Sequence, residues 1–317
     1  MFGGMAIIAQ WVIPIVLISW LGIGRERSRI SWALKGAAVA LYVLAAALAG
    51  MWPFDPRIAL ALFGIATLVA ATRSFAHARS AQALPVAQRS RVRAGVLAML
   101  VLLNGALAVH LARGRQPPRV PMIDLVFPFA NGTYYAVNGG SNQLVNAHNM
   151  TLTSDRFRRW RGQSHGVDLL KLNRRGLRAD GLMPSDPARY AIFGEPVLAP
   201  CSGAVISTLD GLTDLEPPRM DREHMTGNHV ILSCMDAWIV LAHLREGSVC
   251  VAPGDTVAIG QRLGDVGNTG NSAEPHLHIH AQRPGTVDAP IGGEPLAIRF
   301  DGRYLARNAV IRRTVAP

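Results

Sequence analysis

The chain has 317 residues, half of them apolar, and a formal net charge of +11 carried almost entirely by arginine. That length permits about two domains. No basic helix or aromatic–basic ribbon concentrates the charge, which argues against a nucleic-acid partner and for an anionic cell-wall polymer or a membrane surface.

Four apolar runs crowd the first 112 residues. Met1 to Gly24, Gly36 to Phe54 and Ala94 to Ala112 hold no charge, and each approaches the roughly 20 residues needed to span a bilayer. Ile58 to Thr72 is shorter and spans only with Arg57 and Arg73 snorkelling to the interfaces. The first run lacks a basic start and is followed by RERSR instead of a small-residue cleavage site, so it reads as a helix and not a signal peptide. Arg25, Arg27 and Arg29 follow it, and Arg73, Arg79, Arg89, Arg91 and Arg93 lie between the third and fourth runs. The positive-inside rule places both loops in the cytoplasm and both termini outside. Arg113, Arg115 and Arg119 pull the other way with less weight. Lys35 and Asn104 are the polar residues of this half, and Lys35 is expected to snorkel.

Gln116 to Pro121 reads as a stiff linker. Beyond it, Val197–Ile206, His229–Ser233, Trp238–Leu244 and Val257–Val266 read as strands, so this half is mostly β. Arg156 to Arg161 is a basic surface stretch, and Leu209 to Gly227 a long loop bordering a groove. The expected division is a transmembrane helical domain over 1–115, a linker with the first part of the β domain over 116–189, and a core over 190–317. All three cysteines fall in the outward half. None shows CxxC spacing, which argues against a cysteine-based zinc site, and Cys201 with Cys234 is the favoured disulfide because both sit at strand positions.

The chemistry concentrates in Gly264 to Gln282, GDVGNTGNSAEPHLHIHAQ. His276, His278 and His280 alternate with Leu277, Ile279 and Ala281, so one strand face carries three imidazoles. A lone histidine is usually unremarkable, but three after a Gly/Asn/Ser/Pro loop point to metal binding and proton transfer. A hydrolytic zinc needs about three His or carboxylate ligands and an open position for water. Asp168 in QSHGVDLL, His165 three residues before it, His148 in LVNAHN and His243 at the end of VLAHL are further candidates.

AHLREGSVCVAPGDTVAIGQRLGDVGNTGNSAEPHLHIH, preceded by GEPVLAPCSGAV, resembles the core of the lysostaphin-type (LytM-like) zinc metallopeptidases from about Tyr190 to about Gln282. The resemblance implies a small antiparallel β-sandwich of the duplicated-hybrid-motif type, joined here to about four membrane helices. It implies a peptide hydrolase with one Zn2+ per chain that cuts cross-links of bacterial peptidoglycan. It places zinc ligands at His278 and Asp168. His243 and His276 flank the attacking water, deprotonate it and stabilise the oxyanion. His280 has no family role and is expected at the outer end of the strand face.

One departure stands out. The family's upstream motif is His, three residues, then Asp, with a glycine two before the Asp. Aligning Gly166 and Asp168 puts Ser164 where the ligand His belongs, and His165 falls one position late. On an extended strand that shift turns its side chain to the other face unless a bulge intervenes. His148 is the preferred third ligand and His165 the other; Asn146 and Asn149 read as turn residues. His77, His110, His224 and His229 receive no site role. The expected protein is thus a zinc endopeptidase of the bacterial inner membrane, its β domain facing the periplasm or exterior, acting on peptidoglycan or peptide and in contact with cell-wall proteins. The alternative is a catalytically degenerate module that positions or activates other wall hydrolases.

Overall fold

Long runs of Ala, Leu, Val and Ile with few helix breakers make the first third of the chain helical. The computed structural model describes residues 7–286 and 288–314. It divides the chain into two compact units, 1–52 with 56–113, and 53–55 with 114–317.

In the first unit a π-helical stretch, Ile8–Val12, runs into α1 (Ile13–Ile23). Residues 1–6 of the first apolar run lie outside the described residues. Next come α2 (Arg29–Ala49), α3 (Pro56–Ala78) and α4 (Gln88–Gly114), each long and apolar enough to cross a membrane. In the apolar stretch of α4 only 11% of the residues are buried.

Two helix bounds differ from the apolar runs. α2 starts seven positions before Gly36 because Ser28 caps it, its Oγ accepting from the Ser31 N–H at 3.1 Å. α3 continues past Arg73 to Ala78 and reaches 23 residues, a full span. Lys35 does not snorkel. It is fully buried, 3.2 Å from Glu26 and over the Trp20 ring, because a carboxylate waits for it in the preceding loop. Asn104 donates to the Ala38 carbonyl at 3.0 Å, which satisfies its amide between helices.

The second unit is built on strands, mostly antiparallel. β1 (Met122–Leu125) pairs in parallel with β11 (Pro295–Phe300), the one parallel pair among the described strands. β2 (Gly132–Asn138) and β3 (Val167–Leu172) join β10 (Leu277–Gln282), followed laterally by β7 (Ala237–Leu244), β6 (Asn228–Cys234), β5 (Gly203–Leu209) and β8 (Thr256–Val257). β12 (Arg303–Tyr304) extends β11, and β13 (Val310–Arg313) closes the other edge on β2. β4 (Pro196–Leu198) and β9 (Arg262–Asp265) form a separate two-stranded sheet. The two longest expected strands are each split: Val197–Ile206 into β4 and β5, Val257–Val266 into β8 and β9. Residues 116–189 contribute β2 and β3 to the main sheet itself. The Cys201–Cys234 disulfide forms at the β5–β6 end.

β10 lies between β3 and β7, with every residue buried. Its apolar face, Leu277, Ile279 and Ala281, packs into the core and fixes the register by a period of two. The other face carries His278 and His280, and cross-strand pairing sets Asp168 of β3 directly opposite His278.

Candidate metal centre

Register places the first two groups. Directly paired residues on neighbouring strands project to the same face, so the His278 and Asp168 side chains meet. His278 Nδ1 lies 2.8 Å from Asp168 Oδ1, and both residues are buried.

His148 reaches them from outside the sheet, on the 3-10 turn Ala147–Asn149. The fully buried Asn146 caps this turn. Its Nδ2 donates to the carbonyls of Gly140 at 3.1 Å and Gly166 at 3.0 Å, which turns Oδ1 toward His148. Oδ1 accepts the His148 N–H at 3.1 Å and lies 3.2 Å from His148 Nδ1. Since Oδ1 can only accept, Nδ1 carries the proton and Nε2 keeps its lone pair. That Nε2 lies 3.5 Å from Asp168 Oδ2. Asn146 is therefore an orienting group and more than a turn residue.

His243 arrives through a bulge. Asn228 pairs with Leu244 and His229 with Ala242, which leaves His243 as the extra residue of β7, with φ +65°. Regular alternation would send it to the face opposite Ala242 and His278; the bulge re-aims it. Its ring centroid lies 4.7 Å from that of His276 and 5.9 Å from that of His278. His243 Nδ1 donates to the Thr269 carbonyl and His276 Nδ1 to the Glu274 carbonyl, both at 2.8 Å. Each is left with a bare Nε2, and that of His276 stands 3.7 Å from Asp168 Oδ1.

Burial sets the charge states. It holds His148 down at about 4, although the Asp168 carboxylate pulls upward. It also holds His243 well below the ordinary imidazole value and lowers His276. Burial acts to raise Asp168, but His276, His148 and His278 outweigh it and keep the carboxyl ionised below the usual range. Neutral imidazoles around a carboxylate are the state a cation requires of its ligands.

The set fits a zinc ion. One donor atom each from His148, Asp168 and His278 lies within 4.8 Å of the others. Two imidazole nitrogens and one carboxylate oxygen are the donor chemistry of a hydrolytic zinc, whose bonds of roughly 2.0–2.2 Å require such closeness. His165 is not in this group. It ends the 3-10 segment Asp155–His165, buried, with Nδ1 unpartnered. That segment is helical, so strand alternation does not govern where the ring points.

Several supporting residues gave no signal in the sequence. Asn138 donates to Asp168 Oδ2 at 2.8 Å and accepts from the buried Arg307 Nη2 at 2.7 Å. Arg307 also donates to the Val137 and Leu144 carbonyls; burial lowers it only to about 10, so it stays charged. His280, expected at the outer end of the strand face, is 1% exposed and sits with Nδ1 2.9 Å from His278 Nε2. Gly166 is also tightly placed, since a Cβ there would lie 2.7 Å from His278 Cε1. A cavity of about 470 Å³ lies between Trp160, Ile291 and the 222–226 stretch of the long loop. The Thr226 carbonyl of that stretch receives the His243 N–H at 2.9 Å.

The profile of peptidase family M23 matches residues 189–290. This stretch is an M23 domain. It contains His243, His276 and His278, while Asp168, His148 and His165 lie before its start. Among solved structures the chain is similar to the catalytic domain of the antimicrobial peptidase lysostaphin from Staphylococcus simulans, at 23% identity over 40% of this chain and 74% of that one, TM-score 0.26. It is also similar to a putative peptidase M23 from Pseudomonas aeruginosa, at 25% identity over 33% and 42%, TM-score 0.22. A third is an M23 metalloprotease from the deep sea, pseudoalterin, at 13% identity over 60% and 99%, TM-score 0.34. The chain spans 38% and 45% of two longer lysostaphin chains. No curated protein matches it. The second unit is thus mostly antiparallel and contains the M23 stretch, and the chain before it has three helices able to cross a membrane.

Proposed function

We propose that the chain is a membrane-anchored zinc endopeptidase that cuts peptide cross-links of bacterial peptidoglycan. The observation that carries this reading is the convergence of His148, Asp168 and His278 with two further neutral histidines, His243 and His276, whose rings lie beside them. The membrane helices anchor it in the cytoplasmic membrane, with the M23 domain on the periplasmic or outer side.

His148, Asp168 and His278 would hold the ion. Zinc bound there supplies Lewis-acid polarisation of a peptide carbonyl and acidifies a water. Ligation through His278 Nδ1 puts the ring proton on Nε2, where His280 Nδ1 accepts it. One of His243 and His276 would take a proton from the attacking water at Nε2, hold the oxyanion with that Nε2–H while the other ring orients the water, and give the proton to the leaving amine as the C–N bond breaks. Their Nδ1–H bonds to the Thr269 and Glu274 carbonyls keep both rings in the tautomer this needs. Asn138, backed by Arg307, stops the Asp168 carboxylate from rotating.

Ser164, standing where the family has a ligand histidine, favours a second reading, a binding module without turnover. His148 answers that loss by supplying an imidazole from a different turn. The test is release of soluble peptides from purified sacculi by the full-length protein in detergent, with and without chelator, beside His276→Ala. The wild type should release peptides only without chelator, and His276→Ala should bind zinc yet release none. A zinc-loaded wild type that releases nothing would leave the binding reading.

A further inference from the structure

The first unit contains a second built site, unrelated to the zinc chemistry. The loops after α1 and before α4 meet at one end of the helices, where the Arg29 N–H donates to the Gln82 carbonyl at 2.8 Å and Ser28 bridges to Gln82. Between them is a cavity of about 270 Å³ lined by Arg25, Arg27, Arg89 and Arg93, with Glu26 as its only acid.

That acid is already committed. Its side chain is 2% exposed, 3.2 Å from Lys35 and 2.6 Å from Arg93. Arg25, Arg27 and Arg89 make no ion pair or side-chain hydrogen bond among the described residues, although their guanidinium groups present forked donors. Five cations therefore share one carboxylate. Ser31 and Ser90 add hydroxyls to the wall, each within the first turn of a helix, α2 or α4, whose positive dipole end also favours an anion. Ser31 Oγ accepts from Ser28 Oγ at 2.8 Å, so its own hydrogen is available. Arginines that only set membrane orientation need to lie in the right loops; they need not converge on one cavity with a buried carboxylate beneath them.

We propose that this cavity binds a phosphate-bearing anion at the membrane interface. Forked guanidinium donors match phosphate oxygens, and the position at the end of apolar spans matches a phospholipid headgroup. A nearby apolar groove between α2 and α3, lined by Gly36, Ala40, Gly64 and Leu68, begins at Trp32, one residue after Ser31. It offers an acyl chain a place beside the headgroup.

The experiment titrates the full-length protein in neutral detergent, by microscale thermophoresis, with dioctanoyl phosphatidylglycerol, dioctanoyl phosphatidylcholine and inorganic phosphate. Phosphatidylglycerol should bind saturably and roughly tenfold or more tighter than phosphatidylcholine. The Arg27→Lys/Arg89→Lys double variant keeps the charge and the topological signal but loses the forks, and should weaken binding about tenfold. Arg73→Lys/Arg79→Lys, on arginines outside the cavity, should bind like wild type. Phenylglyoxal labelling read by mass spectrometry provides a check that needs no variant: ligand should protect Arg27 and Arg89 and leave Arg79 reactive. Protection by inorganic phosphate as strong as by the lipid would support the anion site and identify a free anion as its source. Equal binding of both lipids, or equal loss in both double variants, would overturn the proposal.

Discussion

Asn146→Ala isolates the group that aims His148. The wild-type amide is fully buried and satisfies four partners: the Gly140 and Gly166 carbonyls, the His148 N–H and His148 Nδ1. Truncation strands these buried groups. At about 1 kcal/mol net for each of two to four of them, stability should fall by roughly 2–4 kcal/mol. The His148 ring also loses the acceptor that fixes its tautomer, and loss of such a partner typically lowers metal affinity by roughly 10–100-fold. Asn146→Asp separates the two effects. It keeps an oxygen for His148 but loses both donated bonds, so stability should fall while zinc affinity stays well above that of the alanine variant. Melting temperature in detergent reads the first quantity, and competition with a chromophoric zinc chelator the second. An alanine variant that melts lower but binds zinc like wild type would refute the orienting role and leave Asn146 a structural cap.

Two further outcomes concern stability. The Cys201–Cys234 bridge closes a loop of 33 residues, so Cys201→Ser should lower the unfolding free energy of the second unit by roughly 3–4 kcal/mol, read by denaturant titration under oxidising conditions; an unchanged midpoint would contradict it. Zinc-free protein should lose stability as pH falls from about 6.5 toward 4. Burial holds the folded His148 at about 4, so the unfolded chain takes up its proton first; stability is complete above 6.5 and declines below it, by at most roughly 3 kcal/mol for this group. The depressed Asp168 carboxyl acts at lower pH, below the ordinary carboxylate value. A melting temperature in chelator that is flat between pH 7 and 5 would be inconsistent with neutral buried histidines.

The strand face was legible from period, while the roles given to Asp168, His243, His276 and His278 rest on the family resemblance. The alternation from His276 to Ala281 defines one functional face of β10, and a glycine-spaced aspartate entering an apolar strand marks Asp168. Three features escape such reading. His243 belongs to the wrong face by alternation, and only the bulge opposite Asn228 and His229 corrects it. His165 sits in a segment read as extended that is in fact 3-10 helix, so counting faces had no meaning there. Asn138 and Arg307, separated by 169 residues, meet through the antiparallel pairing of β2 with β13, which no local pattern encodes. Hydropathy likewise located the spans but not their ends, which are set by a serine cap and by a buried Lys35–Glu26 pair reaching back into the loop.

Zinc content per chain, measured on full-length wild type, His148→Ala and His165→Ala purified in parallel, addresses the metal centre most directly. The geometry predicts about one zinc in wild type and in His165→Ala, and close to none in His148→Ala. Zinc retained by His148→Ala and lost from His165→Ala would contradict the assignment and return the third ligand to the residue next to Ser164.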